Sequence, residues 1–117
     1  MDSLKRDYSL LFSLKGKNAI VTGGLGILGK HFCRGLASFG AHVAVVDLNE
    51  AAASRFAQEL ADEYGIQSIG IGCDVSNPKS VKSMVREMVL RLGSIHILHN
   101  NAATQSKDRD AFFESFE

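Results

Sequence analysis

The sequence predicts an α/β fold in which one parallel sheet carries helices on both faces. Short apolar runs rich in β-branched residues recur at nearly regular intervals. The segments between them show the apolar spacing of three and four residues that is typical of amphipathic helices. This alternation specifies a parallel sheet with right-handed crossovers. We expect four strands in the spatial order 3-2-1-4, the usual order of a Rossmann-like sheet.

Composition limits the classes of partner. The 117 residues suffice for one domain or part of one, and 13 basic against 13 acidic residues give no positive field for nucleic acid. An apolar content of 45% with a single proline excludes disorder for most of the chain. We expect no membrane partner, because no apolar run approaches the roughly 20 residues of a spanning helix and the N-terminus resembles no signal peptide.

The first predicted unit consists of a strand over residues 18–21, a glycine-rich turn and a helix over residues 27–39 that Gly40 ends. Residues 1–15 are expected to form a leader over this strand. The leader would pack through its apolar side chains, Leu10, Leu11, Phe12 and Leu14. The buried stripe of the helix is predicted to be Leu28, Phe32 and Leu36.

The second unit begins with a strand over residues 42–47 that is apolar nearly throughout, as an interior parallel strand should be. Asn49 is a suitable N-cap for a helix over residues 50–64, and Gly65 would end that helix. Its inner face is predicted to carry Ala52, Phe56 and Leu60.

The third strand is predicted over residues 67–73, and Ser76 is taken as the cap of a helix that runs to Leu92. Gly93 ends this helix, and the fourth strand covers residues 95–100. Residues 104–117 are expected to be a loop or tail with a phenylalanine cluster at 112, 113 and 116. The predicted stripe of the third helix is Val81, Met84, Val85, Met88 and Leu92.

The turn between the first strand and helix is the strongest functional motif. Gly23, Gly26 and Gly29 are spaced G-x-x-G-x-x-G, and a strand, a glycine turn and a helix N-terminus together form an anion site. We interpret it as a dinucleotide phosphate loop. One alternative is an ordinary glycine-rich turn. Another is a triphosphate loop, because residues 24–30 read G-x-x-x-x-G-K, although His31 stands where that loop needs Ser or Thr.

Polar residues follow the other strands at the edge where parallel sheets bind ligands. Asp47 could accept hydrogen bonds from an adenosine ribose diol and repel a 2′-phosphate, and no basic residue adjoins Leu48. Asp74 could accept from an adenine amino group, with Val75 against the ring. The alternative for both acids is helix capping. Asn100 to Ala103 reach the same edge.

Two further residue pairs are predicted to be structural. His96 and His99 would face opposite sides of a strand, so we expect no shared metal ion. Cys33 and Cys73 are expected to be inert buried thiols rather than a disulfide framework, which indicates a reduced, cytoplasmic setting.

Taken together, T-G-G-L-G-I-L-G (22–29), the acid Asp47, D-V (74–75) and N-N-A-A (100–103) resemble the short-chain dehydrogenases/reductases, over about residues 14–104. The single-domain branch usually reads T-G-x-x-x-G-x-G, and Ile27 stands where its middle glycine belongs. The Gly26 spacing is instead similar to that of the extended, sugar-modifying branch. Ala103 replaces the glycine of the usual N-N-A-G.

This resemblance implies roles for individual residues. The glycines would frame the pyrophosphate, Asp47 would bind the ribose, and Asp74 with Val75 would bind adenine. Asn101, Ala102 and Ala103 would border the nicotinamide-side ribose. The full set of cofactor contacts expected is Gly23, Gly26, Ile27, Leu28, Gly29, Asp47, Leu48, Asp74, Val75, Asn101, Ala102 and Ala103.

The family's catalytic Tyr-x-x-x-Lys pair has no counterpart, because Phe12 lies four residues after Tyr8 and Ser68 four after Tyr64. We therefore expect residues 1–117 to be the NAD-binding front half of a longer oxidoreductase, with NADP less favoured. Its substrate would be an alcohol or carbonyl compound, with a sugar derivative among the candidates, and the protein would be a homo-oligomer. The alternative is a complete, non-catalytic nucleotide-binding or interaction module.

Overall fold

The computed structural model describes residues 8–103. A short 3₁₀ helix, Tyr8–Phe12, comes before the sheet. The remaining elements follow in strict alternation: β1 (Asn18–Thr22), α1 (Ile27–Ser38), β2 (His42–Asp47), α2 (Glu50–Tyr64), β3 (Ser68–Gly72), α3 (Pro78–Leu92) and β4 (Ile97–Asn100).

The four strands form one parallel sheet in the order β3-β2-β1-β4, which confirms the predicted fold and strand order. The register places Thr22 beside Val46 on one side and beside Asn100 on the other. Asp47 lies beside Gly72. The carboxyl ends of all four strands therefore meet at one edge of the sheet.

Side chains alternate between two cores, one on each face of the sheet. On one face, α1 and α2 pack together over Val21, Val43 and Val45. On the other face, Ile20, Ala44 and Val46 pack against α3. Within the described part of the chain, two helices cover the first face and one helix covers the second.

The predicted stripe of α1 was wrong by one position. Its buried residues are Gly29, Cys33 and Ala37, whereas Leu28 is 63% exposed and Phe32 is 36% exposed. The reason is close packing, because a Cβ added at Gly29 would overlap the carbonyl oxygen of Gly23. Small residues form the contact line, and the larger Leu36 packs beside it as partly buried.

In α2 the bounds and the Asn49 cap are confirmed, since the Asn49 side chain accepts a hydrogen bond from the Ala52 amide at 3.0 Å. Phe56 and Leu60 are buried as predicted, but Ala52 is only half-buried and Ala53 is the fully buried residue beside it.

The cap of α3 is Asn77, not Ser76. The Asn77 side chain accepts from the amides of Lys79 and Ser80, and Pro78 begins the helix. Ser76 instead donates to the Asp74 carboxylate within the preceding turn. Met84 and Met88 are buried as predicted, whereas Val85 is exposed.

The leader does not pack as expected. Leu10, Leu11 and Phe12 are all exposed, and Leu14 is half-buried. Because every residue of β1 is already buried between its neighbours, the strand offers no apolar surface for these side chains to cover. Residues 1–7 and the predicted tail at 104–117, including its phenylalanine cluster, lie outside the described residues.

Candidate functional site

An open cavity of about 490 Å³ lies beyond the carboxyl ends of the strands. It is bordered by the glycine turn after β1, the end of β2, the turn after β3 and the segment after β4. Its lining residues are Gly23, Gly26, Ile27, Leu28, Asp47, Leu48, Cys73, Asp74, Val75, Asn101, Ala102 and Ala103. Of the twelve residues predicted for cofactor binding, the structure thus brings all but Gly29 to one cavity wall.

The glycine turn is held in a conformation that requires glycine. Gly23 has φ of 64°, in the left-handed region, and a Cβ there would lie 2.9 Å from the Ala102 Cα. The Gly26 amide donates to the Gly23 carbonyl at 3.1 Å, and Gly26 is the N-cap of α1. Gly29 lies beneath the turn, so its role is to let α1 approach the turn closely.

The first turn of α1 opens onto the cavity without a capping side chain, because its N-cap is a glycine. The first backbone N–H groups of a helix have no partners within the helix, and the helix dipole is positive at this end. Ile27 and Leu28 are exposed and line the cavity here. This end of the cavity can therefore accept an anionic group flanked by apolar side chains.

Thr22 ties the segment after β4 to the glycine turn. Its hydroxyl oxygen accepts hydrogen bonds from the amides of Asn101 and Ala102, both at 3.1 Å. The Asn101 side chain donates to the Gly23 carbonyl at 3.1 Å. No role in the site was predicted for Thr22 from the sequence. The signal available in the sequence was a hydroxyl residue after the first strand together with an asparagine-rich segment after the fourth.

The charged side chains that line the cavity are two acids, Asp47 and Asp74. Asp47 accepts from the Leu25 amide through Oδ2 at 3.1 Å and from the Leu48 amide through Oδ1 at 2.8 Å. Asp74 accepts from the hydroxyl and the amide of Ser76, and these two bonds lower the pKa of its exposed carboxyl. The cavity is therefore acidic at both of these strand ends.

The two cysteines are free and buried, and they differ in position. Burial raises the pKa of Cys33 to about 12, against smaller opposing effects of the Arg34 charge and a backbone hydrogen bond. Cys73 lines the cavity, which the sequence analysis missed although the residue directly precedes Asp74. Its sulfur accepts a hydrogen bond from the Ser80 hydroxyl at 3.5 Å.

The two histidines at and just before the fourth strand make different contacts. His96 precedes β4, and its Nδ1 accepts from the Asn18 amide at 2.9 Å. The ring of His99 lies against Phe32, with centroids 4.2 Å apart. Among residues 8–103, no group of three His, Cys, Asp or Glu side chains is arranged to hold a metal ion.

Lys30, the lysine of the triphosphate-loop alternative, points elsewhere. Its Nζ lies 5.3 Å from the centroid of the Phe56 ring, in the contact between α1 and α2. A triphosphate loop needs this amine at the phosphates.

The described helices also include none that is long and apolar enough to cross a membrane.

Comparisons with known proteins agree with this geometry. The family model for short chain dehydrogenases matches residues 17–116. A sorbitol dehydrogenase from Cereibacter sphaeroides is 39% identical over 90 residues, which is 77% of this chain and 34% of that protein.

Two solved structures share the fold. L-sorbose reductase from Gluconobacter frateurii, in complex with NADPH and L-sorbose, superposes with a TM-score of 0.78 at 27% identity, covering 88% of this chain and 41% of the other. NAD⁺-bound xylitol dehydrogenase superposes with a TM-score of 0.73 at 30% identity, covering 79% and 35%. The chain therefore spans well under half of each of these relatives.

Proposed function

The chain belongs to the short-chain dehydrogenase family, and we propose that it is the NAD-binding part of an oxidoreductase. The parent enzyme would transfer hydride between the nicotinamide and an alcohol or carbonyl substrate. The observation that carries this proposal is the meeting of the glycine turn, Asp47, Asp74 and residues 101–103 around one cavity.

The phosphate end of the cofactor would bind at the glycine turn. Gly23, Gly26 and Gly29 would frame the pyrophosphate, because side chains at the first and last of these positions would collide with backbone or displace the turn. The free N–H groups at the start of α1 supply hydrogen-bond donors for the pyrophosphate. Ile27 and Leu28 supply the apolar walls beside it.

The adenosine end would bind between β2 and β3. Asp47 would accept from the ribose hydroxyls, and Asp74 would accept from the adenine amino group. Leu48 is 74% exposed and Val75 40% exposed on this wall, so both offer apolar surface to a planar ring. Burial of these surfaces against the base would contribute roughly 25 cal/mol per Å².

We propose NAD over NADP as the natural cofactor. Nicotinamide cofactors of both kinds are bound by the family relatives compared above. Here the charged lining residues are the acids Asp47 and Asp74, and no lining residue is basic. An added 2′-phosphate would meet a carboxylate without a compensating cation, at a cost of about 1–3 kcal/mol.

The nicotinamide end would lie along Asn101, Ala102 and Ala103, which border its ribose. The bound nicotinamide supplies the hydride acceptor or donor. No residue of this chain is assigned a catalytic proton transfer, because neither tyrosine has a lysine four residues on. We place that chemistry in a further part of the parent, with the present chain as a single cofactor-binding domain.

The relatives act on sugars and sugar alcohols according to their names, among them L-sorbose and sorbitol. We propose a small polyol or its carbonyl counterpart as the substrate class of the parent. We further propose a homo-oligomer, and a reducing, cytoplasmic setting in keeping with two unpaired thiols.

Calorimetric titration of the chain with NADH and NADPH tests the cofactor proposal. We expect NADH to bind, with an affinity about tenfold or more above that of NADPH. Asp74→Ala serves as a control. It should lower the affinities for NADH and NADPH by the same factor, because it leaves Asp47 in place. Absence of NADH binding would contradict the proposed function, and equal binding of NADPH would contradict the preference.

The catalytic part of the proposal has its own test. The purified chain should turn over no polyol or carbonyl compound with NAD(H), since positioned acid–base groups typically supply 10²–10⁴-fold in rate. Steady-state absorbance at the NADH band measures this. Turnover by the chain alone would show that it has catalytic groups not identified above. If the natural protein consists of these 117 residues and binds NADH without turnover, the alternative of a non-catalytic sensor module would be supported.

A further inference from the structure

The Asp47 carboxylate is bonded on both oxygens before any ligand is considered. Oδ2 accepts from the Leu25 amide, and Oδ1 accepts from its neighbour's amide at Leu48. The main-chain carbonyl of Asp47 accepts from the Cys73 amide at 2.9 Å. One residue thus connects the end of β2 to the glycine turn on one side and to the end of β3 on the other.

The hydrogen bond between the Asp47 carboxylate and the Leu25 amide lies in the middle of the glycine turn. The preceding amide, that of Gly24, donates to the Val46 carbonyl at 3.1 Å, a contact that any residue at position 46 could supply. The next amide, that of Leu25, is instead fixed by a side chain. The Leu25 side chain packs against the core under α1 and α2, so both the amide and the side chain of this residue are held in place.

Asp74, the second acid of the cavity, makes no comparable connection. Its carboxylate accepts from Ser76, two residues away in its own turn. The two acids line the same cavity and carry the same charge, but only the Asp47 carboxylate bonds to the glycine turn. Asp74 is therefore a matched control for Asp47.

We propose that Asp47 is a positioning residue for the glycine turn, in addition to its ribose contact, and this inference rests on the proposed function. An ionised carboxylate has about four acceptor sites, of which two are occupied here, so a ribose diol can use the others. The same carboxylate then sets the turn that receives the pyrophosphate and selects the ribose. Changing it alters both contacts.

Amide hydrogen exchange in the absence of cofactor tests the contact directly. In Asp47→Ala the exchange of the Leu25 amide should accelerate by about tenfold or more, the range expected for a lost hydrogen bond to a charged acceptor. The Gly24 amide should change less, because its acceptor is main chain. In Asp74→Ala the Leu25 amide should exchange as in the wild type.

Asp47→Asn provides a second variant of nearly equal volume. The Leu25 and Leu48 amides lie at different oxygens of Asp47, and asparagine replaces one of these oxygens by a donor nitrogen, so it cannot accept from both amides in this geometry. One of these two amides should exchange faster. The unfolding temperature of Asp47→Asn should lie closer to that of the wild type than the unfolding temperature of Asp47→Ala does. Unchanged exchange of Leu25 in folded Asp47→Ala, or of both amides in Asp47→Asn, would overturn the proposal.

Binding of an NAD analogue that lacks both adenosine ribose hydroxyls tests the consequence. If Asp47 acted only on the diol, the analogue would bind the wild type and Asp47→Ala equally. We expect the variant to bind it at least fivefold more weakly, because the turn is loosened, and equal affinity would overturn the proposal. Failure of the wild type to bind NAD at all would overturn the proposed function instead, and the exchange of Leu25 would still decide whether Asp47 positions the turn.

Discussion

Of the cavities lined by residues 8–103, two that border the sheet are built in opposite ways. The cavity at the carboxyl edge has a rim of loops joined by hydrogen bonds, including those of Thr22, Asn101 and Asp47. The second, of about 300 Å³, is a groove between α3 and β4. It is lined mainly by apolar side chains, among them Val81, Met84, Val85, Ile95 and Leu98.

The difference indicates different kinds of partner. Fixed donors and acceptors of a polar rim can select a small ligand by its hydrogen-bonding groups, since a mismatch leaves a polar group unpaired. The groove has few such groups, and Leu98 beside it is 56% exposed. Its neighbour β4 is at one end of the sheet and has no proline or lysine. We expect such a surface to be covered by protein rather than by a small ligand.

The largest expected effect concerns the polar rim. Gly29→Ala should lower the free energy of unfolding by about 3 kcal/mol, because the new Cβ would overlap the Gly23 carbonyl oxygen and the backbone must shift. Denaturant unfolding followed by circular dichroism measures this.

Gly35→Ala is the matched control on the same helix, since an added Cβ there meets nothing within 4 Å. It should be neutral or stabilising by up to about 1 kcal/mol, as alanine is the better helix former. Equal changes in the free energy of unfolding at the two positions would mean that packing under the turn does not set the effect of Gly29→Ala.

The next effect concerns the bonds of Thr22. Thr22→Val should cost about 2 kcal/mol, because a buried hydroxyl that accepts from Asn101 and Ala102 is replaced by a methyl group. Thr22→Ser retains the acceptor and should lose under half as much. Thermal unfolding of both variants checks this. If valine proves the milder change, these hydrogen bonds do not hold the rim together.

A smaller effect is expected at the groove. The chain should self-associate at high micromolar concentration, and Leu98→Lys should weaken that association roughly tenfold, because it places a charge on β4, the last strand of the described sheet. Leu90→Lys is the control, since Leu90 is 85% exposed and does not line the groove. Light scattering reports the mass. A wild-type chain that remains a monodisperse monomer would refute this assignment of the groove.

The smallest effect is electrostatic. The Ser76 hydroxyl first, and its amide second, lower the pKa of Asp74, so Ser76→Ala should raise that pKa toward its ordinary value. A lowered folded-state pKa gives stability that is present above the unfolded-state value, near 3.9, and is lost as the pH falls through the folded-state value. Because Ser76→Ala brings the folded-state pKa closer to the unfolded-state value, the variant should have a smaller contribution of this kind at neutral pH than the wild type.

Carboxyl-carbon NMR titration follows Asp74 directly. Ser80→Ala is the control, because the Ser80 hydroxyl accepts from the Asp74 amide and does not touch the carboxylate. Identical titration of Asp74 in the wild type and in Ser76→Ala would contradict the assigned cause.

Regular elements of this protein could be predicted from the sequence because their signals are local. The α2 helix has its cap at Asn49 and its end at Gly65, and both were correct. The alternation of strands and helices was sufficient for the parallel order, since crossover handedness leaves few arrangements. The gathering of strand ends at one edge followed from that order.

Contacts between elements were harder to predict. The α1 stripe was misplaced because apolar pattern favours large side chains, whereas close approach of α1 to β1 selects Gly29, Cys33 and Ala37. The α3 cap was assigned to Ser76 because two capping residues stand side by side, and only the Asp74 turn distinguishes them. The bonds of Thr22 and Asp47 join residues distant in sequence, and no local pattern reports them.

Amide chemical-shift mapping of the ¹⁵N-labelled chain during titration with NADH tests the position of the cofactor site most directly. We expect saturable shifts at residues 23–29 and at Leu48, Val75 and Ala102, with Val85 and Leu98 in the groove unchanged. Shifts confined to the groove, or none at millimolar NADH, would contradict the claim that the carboxyl edge is the cofactor site.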